Sequence, residues 1–278
     1  MTERDKLPVS HKRKWIRLLN ILLVIYLLIG VAVYFLQDRF LFHPEIIAKE
    51  KKFNFSVPYK EVNVVLDKDY SMDVVQFLTN DSAAKGVVLY LHGNRKNIEW
   101  YAKYAPAFTG KGYEVWMIDY PGFGKSSGKL TEQKLYEYAE QLYTMAKAKY
   151  NADNIIIYGK SLGTGIAAWL ASKKSSKRVI LETPYYSVAS LASHYLPVYP
   201  ISRLLKYQLP TYAHINIINA PVTIFHGTSD NVIPYSNAAK LKPLMNPKDE
   251  FIPIPGGEHN NLSEFKLFKN KLDSVLAL

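Results

Sequence analysis

The longest run of apolar residues lies near the N-terminus of the chain. Residues 18–36 are 19 consecutive positions without a charged side chain, and Asn20 is the only strongly polar residue among them. As a helix this run would be about 28 Å long, close to the ~30 Å hydrocarbon core of a bilayer. Buried helices of soluble proteins rarely continue this far without a polar face. The pattern therefore predicts a single transmembrane helix over residues 18–36.

The residues before this run are basic. Residues 1–17 carry six Lys and Arg residues against two acidic ones, a net charge of +4. Because positive charge favours the cytoplasmic side, we expect the N-terminus in the cytoplasm and the rest of the chain exported, to the periplasm, the exterior or a lumen. A cleaved signal peptide and an uncleaved signal anchor both fit this pattern. The run exceeds the ~7–15 residues of a signal-peptide core, which favours the anchor.

Short apolar runs alternate with helical patterns after a juxtamembrane connector over residues 37–58. Most of these runs are rich in branched residues and do not alternate with polar ones, which is typical of strands buried on both faces of a parallel sheet. The predicted strands cover residues 62–66, 74–78, 87–91, 115–118, 155–158, 179–181, 222–225 and 251–254. This alternation predicts an α/β fold over residues 59–278, a mostly parallel sheet flanked by helices, with its site at the carboxyl ends of the strands.

Composition narrows the possible chemistry. The chain has 278 residues, 48% of them hydrophobic and 21% charged, which is typical of a folded protein. It contains no cysteine, so disulfides, thiolate metal sites and a cysteine nucleophile are excluded. The net charge of +11 indicates a polyanionic partner. Because the tail supplies +4 of it and no nucleic-acid motif accompanies the rest, we expect membrane lipids and no nucleic acid as that partner. The basic run at residues 173–178 is interpreted as a solvated turn.

A G-x-S-x-G motif follows the predicted strand at residues 155–158. Its letters are Gly159-Lys160-Ser161-Leu162-Gly163, and a helical stretch over residues 162–173 comes next. The motif is weak alone, but a strand before it and a helix after it are the context of a nucleophile at a sharp turn. A serine that only caps the helix is the structural alternative. We interpret Ser161 as the nucleophile.

A serine needs a base, and the base needs an acid to orient it. In a parallel-sheet hydrolase these partners follow the serine in the order acid, histidine. Asp230 and His259 satisfy that order, and each comes just after a predicted strand. The competing acids, interpreted as loop-bracing or solvated groups, are Asp119, Asp249 and Glu250. The predicted catalytic residues are therefore Ser161, Asp230 and His259.

Backbone N–H groups must also stabilise the oxyanion of the tetrahedral intermediate. The strand at residues 87–91 ends in His92-Gly93-Asn94, beside the expected position of the nucleophile turn. We therefore predict the oxyanion hole at Leu162 and Asn94, with Arg95 as the alternative to Asn94. This chemistry requires no metal and no cofactor.

Five motifs together resemble the α/β-hydrolase superfamily, and more narrowly its membrane-anchored abhydrolase-domain or serine aminopeptidase-like members. The resemblance covers about residues 40–278, and its motifs are LYLHGN at 89–94, DYPGFGKSSG at 119–128, GKSLGTG at 159–165, HGTSDNVIP at 226–234 and PGGEHNN at 255–261. It implies the hydrolase fold, the same three catalytic residues, and an oxyanion hole at His92-Gly93-Asn94. Such relatives usually carry His-Asn-Asp where this chain has His259-Asn260-Asn261. The resemblance implies no particular substrate.

The sequence thus predicts a serine hydrolase that cleaves an ester, thioester or amide in a small-molecule, lipid or acylated substrate. A peptidase would need a group such as Glu182 or Glu258 to hold a substrate amine, and a non-catalytic scaffold of the same fold is a further alternative. Residues 185–215 contain six tyrosines and form either a lid that lines an acyl pocket or a structural excursion. The oligomeric state stays open.

Overall fold

The structure is a computed structural model that describes residues 9–81 and 83–277. The first eight residues of the predicted basic tail therefore lie outside it. The strands within the described residues are β1 His43–Pro44, β2 Tyr59–Val65, β3 Ser71–Phe77, β4 Gly86–Leu91, β5 Arg95–Lys96, β6 Tyr113–Ile118, β7 Ile155–Lys160, β8 Arg178–Glu182, β9 Val222–Gly227 and β10 Glu250–Ile254.

The α-helices of the same residues differ widely in length. They are α1 Val9–Leu41, α2 Ile98–Tyr101, α3 Pro106–Thr109, α4 Glu132–Lys147, α5 Leu162–Lys173, α6 Val188–Tyr195, α7 Ile201–Leu204, α8 Thr211–Ile215, α9 Tyr235–Ala239 and α10 Lys266–Ala277. Single 3₁₀ turns occupy Ala102–Tyr104, Ala152–Asn154, Lys242–Leu244 and Leu262–Glu264.

Eight strands form one sheet in the order β10-β9-β8-β7-β4-β6-β3-β2. The six strands from β10 to β6 are parallel, whereas β3 and β2 continue the sheet antiparallel at one edge. All eight strands correspond to the predicted apolar runs, so the mostly parallel α/β fold is confirmed. The carboxyl ends of β4, β7, β8, β9 and β10 lie side by side along one edge.

The sheet separates two hydrophobic cores. Val87 and Leu89 of β4 pack with α4 and α5 on one face, while Val88 and Tyr90 pack with α2, α3 and α10 on the other. All six residues of β4 are buried. Consecutive side chains of a strand point to opposite faces, so covering both faces with helices removes any need for polar alternation.

Helix α1 is 33 residues long and extends beyond the apolar run in both directions. Residues 11–29 are fully on the surface, and the apolar stretch is long and apolar enough to cross a membrane. Its last third packs against the domain, and Gln37 there is only 2% exposed. The predicted connector is part of the folded unit: Phe42, Ile47 and Phe53 are buried, and β1 pairs with β5.

Candidate active site

Ser161 lies at a sharp turn between β7 and α5. Its backbone adopts φ 52° and ψ −118°, a left-handed conformation that a serine adopts only when its surroundings hold it there. The two glycines of the motif permit this turn. A Cβ on Gly159 would lie 2.5 Å from the carbonyl oxygen of Gly163, and one on Gly163 would lie 2.0 Å from that of Leu91. The G-x-S-x-G pattern therefore reflects close backbone contact on both sides of Ser161.

A continuous chain of hydrogen bonds joins Ser161, His259 and Asp230. His259 Nε2 is 2.9 Å from Ser161 Oγ, and His259 Nδ1 is 2.8 Å from Asp230 Oδ2. The other carboxylate oxygen of Asp230 accepts the N–H groups of Val232 and Ile233, at 2.8 Å each. These residues follow β7, β10 and β9, so the parallel strands bring together side chains that are 98 and 29 positions apart in sequence.

The surroundings of Asp230 hold it in the ionised form. Burial by itself raises the pKa of this carboxyl group, but hydrogen bonding and charge attraction from His259, with the backbone N–H of Ile233, outweigh burial and lower the pKa below its usual value. His226 is buried beside Asp230, with its Nε2 3.8 Å from Asp230 Oδ2. Its Nδ1 is 3.0 Å from the Gly227 carbonyl oxygen, and burial lowers the pKa of its imidazole.

The predicted oxyanion donors lie on the two sides of Ser161. Leu162 is the first residue of α5, where helical N–H groups have no carbonyl partner within the helix. On the other side, a Cβ on Gly93 would lie 3.5 Å from Ser161 Cβ, so the turn before Asn94 directly contacts the nucleophile turn. The structure thus brings the Leu162 and Asn94 segments to the same place beside Ser161.

Asn94 is also tied to the end of α1, which the sequence did not reveal. Its side-chain amide donates to the Leu41 carbonyl oxygen at 2.6 Å, and its own carbonyl accepts the His43 N–H at 2.8 Å. Asn94 and Leu41 are 53 positions apart, and no periodic pattern connects them. The C-terminal end of the apolar helix therefore holds the turn that carries a predicted oxyanion donor.

Asp119 supports the His92-Gly93-Asn94 turn, in agreement with its interpretation as a loop-bracing acid. Its Oδ1 accepts the Ile98 N–H at 2.9 Å and lies 3.4 Å from His92 Nε2. Burial is the main cause that raises the pKa of Asp119. The hydroxyl of Tyr120 donates to the His92 carbonyl oxygen at 2.8 Å. These contacts keep the His92-Gly93-Asn94 turn in position.

Glu182 is not available to hold a substrate amine, contrary to the possibility raised by the sequence. It is 2% exposed and accepts hydrogen bonds from Lys160 and Tyr158 in a buried network beneath the nucleophile turn. Lys160 and Glu182 are register partners on β7 and β8, so their charges neutralise each other inside the sheet. Glu258 is exposed, and its backbone N–H donates to Asn261 Oδ1 at 2.8 Å. Asn261 thus braces the loop of His259.

The other two competing acids, Asp249 and Glu250, lie away from Ser161, Asp230 and His259. Asp249 accepts the N–H groups of Val222 and Asn246 before β10 begins, and Glu250 forms an exposed ion pair with Lys271. Both belong to the amino ends of the strands, opposite the triad. Among the described residues, no group of three or more His, Asp or Glu side chains is placed to hold a metal ion.

Most tyrosines of the 185–215 segment brace it through hydrogen bonds or ring stacking. Tyr185 donates to the Leu162 carbonyl oxygen at 3.0 Å, and Tyr207 donates to that of Leu130 at 3.1 Å. The rings of Tyr186 and Tyr212 are stacked at 4.6 Å. The segment folds into α6, α7 and α8, and we refer to it below as the insertion.

Part of the sequence matches the model of a known protein family. Residues 82–213 match a family model described as serine aminopeptidase, S33. This match includes Ser161 and ends before Asp230 and His259.

Similar proteins come from distant organisms. The human α/β hydrolase domain-containing protein 17B is 30% identical over 202 residues, which cover 70% of this chain and 67% of the relative. An uncharacterised protein of Mycobacterium tuberculosis is 29% identical over 176 residues, 63% of each chain. This chain therefore spans less than two thirds of the length of the mycobacterial relative. An esterase from Pyrococcus furiosus has the same fold, with a TM-score of 0.63 at 19% identity over 85% of this chain and 97% of that one. The chain belongs to the α/β-hydrolase family.

Proposed function

We propose that this protein is a membrane-anchored serine hydrolase that cleaves an ester, thioester or amide through an acyl-enzyme. The observation that carries the proposal is the hydrogen-bonded chain from Asp230 through His259 to a strained Ser161. A helix-capping serine would not need an imidazole 2.9 Å from its hydroxyl. The capping alternative is also disfavoured because the Ser161 side chain makes no cap hydrogen bond to α5.

In the first half of the reaction, Ser161 Oγ attacks the acyl carbon while His259 Nε2 takes the hydroxyl proton. The ionised Asp230 keeps the proton of His259 on Nδ1 and stabilises the imidazolium that forms. The N–H groups of Leu162 and Asn94 donate to the oxyanion, and loss of one such donor costs about 3–4 kcal/mol in the transition state. Collapse of the intermediate breaks the bond to the leaving oxygen, sulfur or nitrogen, which receives the proton from His259.

In the second half, water replaces the leaving group. His259 takes a proton from the water as its oxygen attacks the acyl carbon, and then returns that proton to Ser161 Oγ. The acid product leaves, and the enzyme regains its starting state. Every proton is moved by His259, so the mechanism needs neither metal nor cofactor.

The nucleophile is tested with a serine-reactive fluorophosphonate probe. We expect the native chain to be labelled and Ser161→Ala to lose labelling, with kcat for p-nitrophenyl esters falling by about 10⁶-fold. The matched control is Ser172→Ala, whose hydroxyl donates to the Trp169 carbonyl oxygen within α5, and it should keep both signals. Labelling that persists in Ser161→Ala would refute the assignment. Absence of labelling and of turnover in the native chain would favour the non-catalytic scaffold.

An acyl ester or thioester suits the site better than a peptide with a free N-terminus. The carboxylate of Glu182 is committed to Lys160 and Tyr158, which leaves the exposed Glu258 as the nearby candidate for binding an amine. We expect p-nitrophenyl esters to be cleaved faster than aminoacyl p-nitroanilides. The opposite order would favour the peptidase that the name of the matching family model suggests.

We further propose that α1 is an uncleaved anchor, with its N-terminus in the cytoplasm and the catalytic domain exported. A cut near Gly30 or Ala32, the small residues available to a signal peptidase, would remove Tyr26. The hydroxyl of Tyr26 donates to the Val198 carbonyl oxygen at 3.1 Å, so the cut would break a contact between α1 and the insertion. Membrane lipids are then a permanent partner of the chain.

A further inference from the structure

One face of α1 carries the contacts with the insertion. Tyr26, Gly30, Val33, Gln37 and Leu41 recur at intervals of three and four residues, which places them along one side of a helix. The covered residues in the last third of α1 fall on or beside this side, whereas the residues around them are exposed. The insertion therefore lies along this side of the helix.

The far end of this contact lies deep in the apolar run. The rings of Tyr26 and Tyr199 are stacked, with centroids 4.5 Å apart and planes within 5°. Their hydroxyls exchange hydrogen bonds with the other segment, from Tyr26 to the Val198 carbonyl and from Tyr199 to the Tyr26 carbonyl, each at 3.1 Å. A Cβ on Gly30 would make ordinary contact with the Tyr199 ring at 3.5 Å.

The near end of the contact lies where the apolar run stops. Gln37 Nε2 donates to the Leu204 carbonyl at 3.2 Å, and its Oε1 accepts the Lys206 N–H at 2.7 Å. Lys206 also pairs with Asp38 at 3.6 Å. The contacts made by amide and charged side chains of α1 thus begin immediately after residue 36, the end of the charge-free run.

The two ends of this contact show how far along the apolar run the insertion extends. Tyr26 is the ninth of the 19 residues of the run, and about 15 Å of helix separates it from Leu36. The half-thickness of a bilayer's hydrocarbon core is also about 15 Å. We propose that residues 195–202, which we call the tip, insert into the bilayer beside α1, and that the substrate is an amphiphile drawn from the same leaflet. This inference rests on the anchor and the hydrolase proposed above.

The composition of the tip suits a lipid environment. Residues 195–202 read YLPVYPIS and contain no charged side chain. Val198 is 70% exposed and Tyr195 is 54% exposed. The nearest following charged residues are Arg203 and Lys206, and the Lys206 N–H is bound to Gln37, just beyond the end of the charge-free run.

The backbone of the tip also suits that environment, although it is not regular. Unpaired N–H and C=O groups are costly in hydrocarbon. Pro197 and Pro200 have no N–H to satisfy. Leu196 N–H donates to the Ala192 carbonyl at 2.9 Å and Tyr199 N–H to the Leu196 carbonyl at 3.2 Å. The Tyr26 hydroxyl satisfies the Val198 carbonyl.

The base of the tip contacts a loop of the proposed active site. The hydroxyl of Tyr195 donates to the carbonyl oxygens of Asn231 and Val232, at 3.2 and 3.0 Å, in the loop that carries Asp230. Beside it, apolar side chains of α1 and the insertion, among them Val33, Leu196 and Ile201, line a cleft of about 350 Å³. Leu41 also lines this cleft, and its carbonyl oxygen accepts the Asn94 amide, so the apolar surface offered to an acyl chain ends where α1 holds the predicted oxyanion turn.

The depth of the tip is measured by labelling single cysteines, since the native chain has none. Full-length Val198→Cys, Leu23→Cys and Val65→Cys variants in phosphatidylcholine vesicles receive an environment-sensitive fluorophore. Val65 lies on β2 and is 73% exposed, which matches Val198. We expect lipids with a nitroxide in the acyl chain to quench residues 23 and 198, and aqueous iodide to quench residue 65. Quenching of residue 198 by iodide alone, with residue 23 in lipid, would overturn the inference and leave the anchor intact. Iodide quenching of residue 23 would instead refute the anchor.

The origin of the substrate is tested with Val198→Asp and the matched Val65→Asp. We expect Val198→Asp to lower the hydrolysis of a long-chain ester in vesicles at least ten-fold relative to a short water-soluble ester. Val65→Asp should leave that ratio unchanged. An unchanged ratio for Val198→Asp would overturn the proposed substrate class. If neither ester is cleaved by the native chain, the hydrolase proposal itself fails.

Discussion

At the scale of single residues, two buried aspartates have pKa values shifted in opposite directions. Asp230 accepts hydrogen bonds from His259, Val232 and Ile233, so its pKa stays below the usual value despite burial. Asp73 of β3 is 1% exposed and lies near Glu61 and Asp119, and burial followed by these like charges raises its pKa to about 7. Lys125, which pairs with Glu61, opposes this rise only in part. The hydrogen-bond and charge partners of a buried carboxyl group, and not burial alone, therefore decide the direction of its pKa shift.

Asp73 makes stability depend on pH. Its pKa is about 7 in the folded chain against 3.8 without the fold, so between these values the folded state keeps a proton that the unfolded state has lost. Stability from this group is therefore present at low pH and decreases as the pH rises toward 7. We expect Asp73→Asn to gain about 2 kcal/mol relative to the native chain between pH 5 and pH 7. Urea unfolding of the detergent-solubilised protein at both pH values measures this.

The control for this prediction is Asp153→Asn, at an exposed position in a 3₁₀ turn. It should follow the native chain at both pH values. A constant difference between Asp73→Asn and the native chain across this range would show that Asp73 is ionised in the folded state, contrary to the prediction.

At the scale of elements, α1 is both an apolar helix and a structural part of the hydrolase domain. Its residues 11–29 are exposed, although Tyr26 stacks on Tyr199 of the insertion, whereas Gln37 and Leu41 bind the insertion and the Asn94 turn. The helix-forming pattern is the same along its whole length. Only the tertiary contacts show which part of α1 is bound to the domain and which part is exposed.

Gln37→Met should loosen this docking, because methionine has a similar size but cannot pair with the backbone of Leu204 and Lys206. Leaving a buried donor and acceptor unpaired costs about 1–3 kcal/mol. We expect hydrogen exchange at the Lys206 amide to increase at least five-fold. Gln133→Met, at an exposed position of α4, is the control and should leave this exchange unchanged. Unaltered protection of Lys206 in Gln37→Met would contradict a structural role for the amide.

At the scale of the whole molecule, charge and hydrophobicity are separated along the chain. The first 17 residues carry +4 of the total +11, and the apolar run follows directly. The remaining +7 is spread over a domain whose site, insertion and anchor lie together. With α1 as the proposed anchor, this arrangement puts Ser161, Asp230 and His259 in a domain attached directly to the end of the apolar run.

Orientation is tested in intact cells with an impermeant maleimide. We expect Val65→Cys, in the domain, to be labelled without permeabilisation, and His11→Cys, before the apolar run, to be labelled only after it. The physical reason is the positive charge of residues 1–17, which favours retention in the cytoplasm. The reverse labelling pattern would mean that the domain is cytoplasmic.

The local pattern of the sequence was sufficient for much of the fold. Runs of branched apolar residues predicted all eight strands of the main sheet, because a strand buried on both faces needs apolar side chains at consecutive positions. The order of motifs singled out Ser161, Asp230 and His259, whose side chains are hydrogen-bonded to one another in the structure. Their catalytic roles remain a proposal.

What the sequence by itself determined was therefore the strands, the apolar helix, the absence of thiol chemistry and the order of candidate catalytic residues, since each leaves a local or ordered signal in the chain. Only the tertiary structure decided that Glu182 is paired with Lys160, that Leu41 holds Asn94, and that Tyr26 stacks on Tyr199. These partners are 22, 53 and 173 positions apart. Contacts at such separations arise from packing between elements, which no periodicity within a single segment encodes.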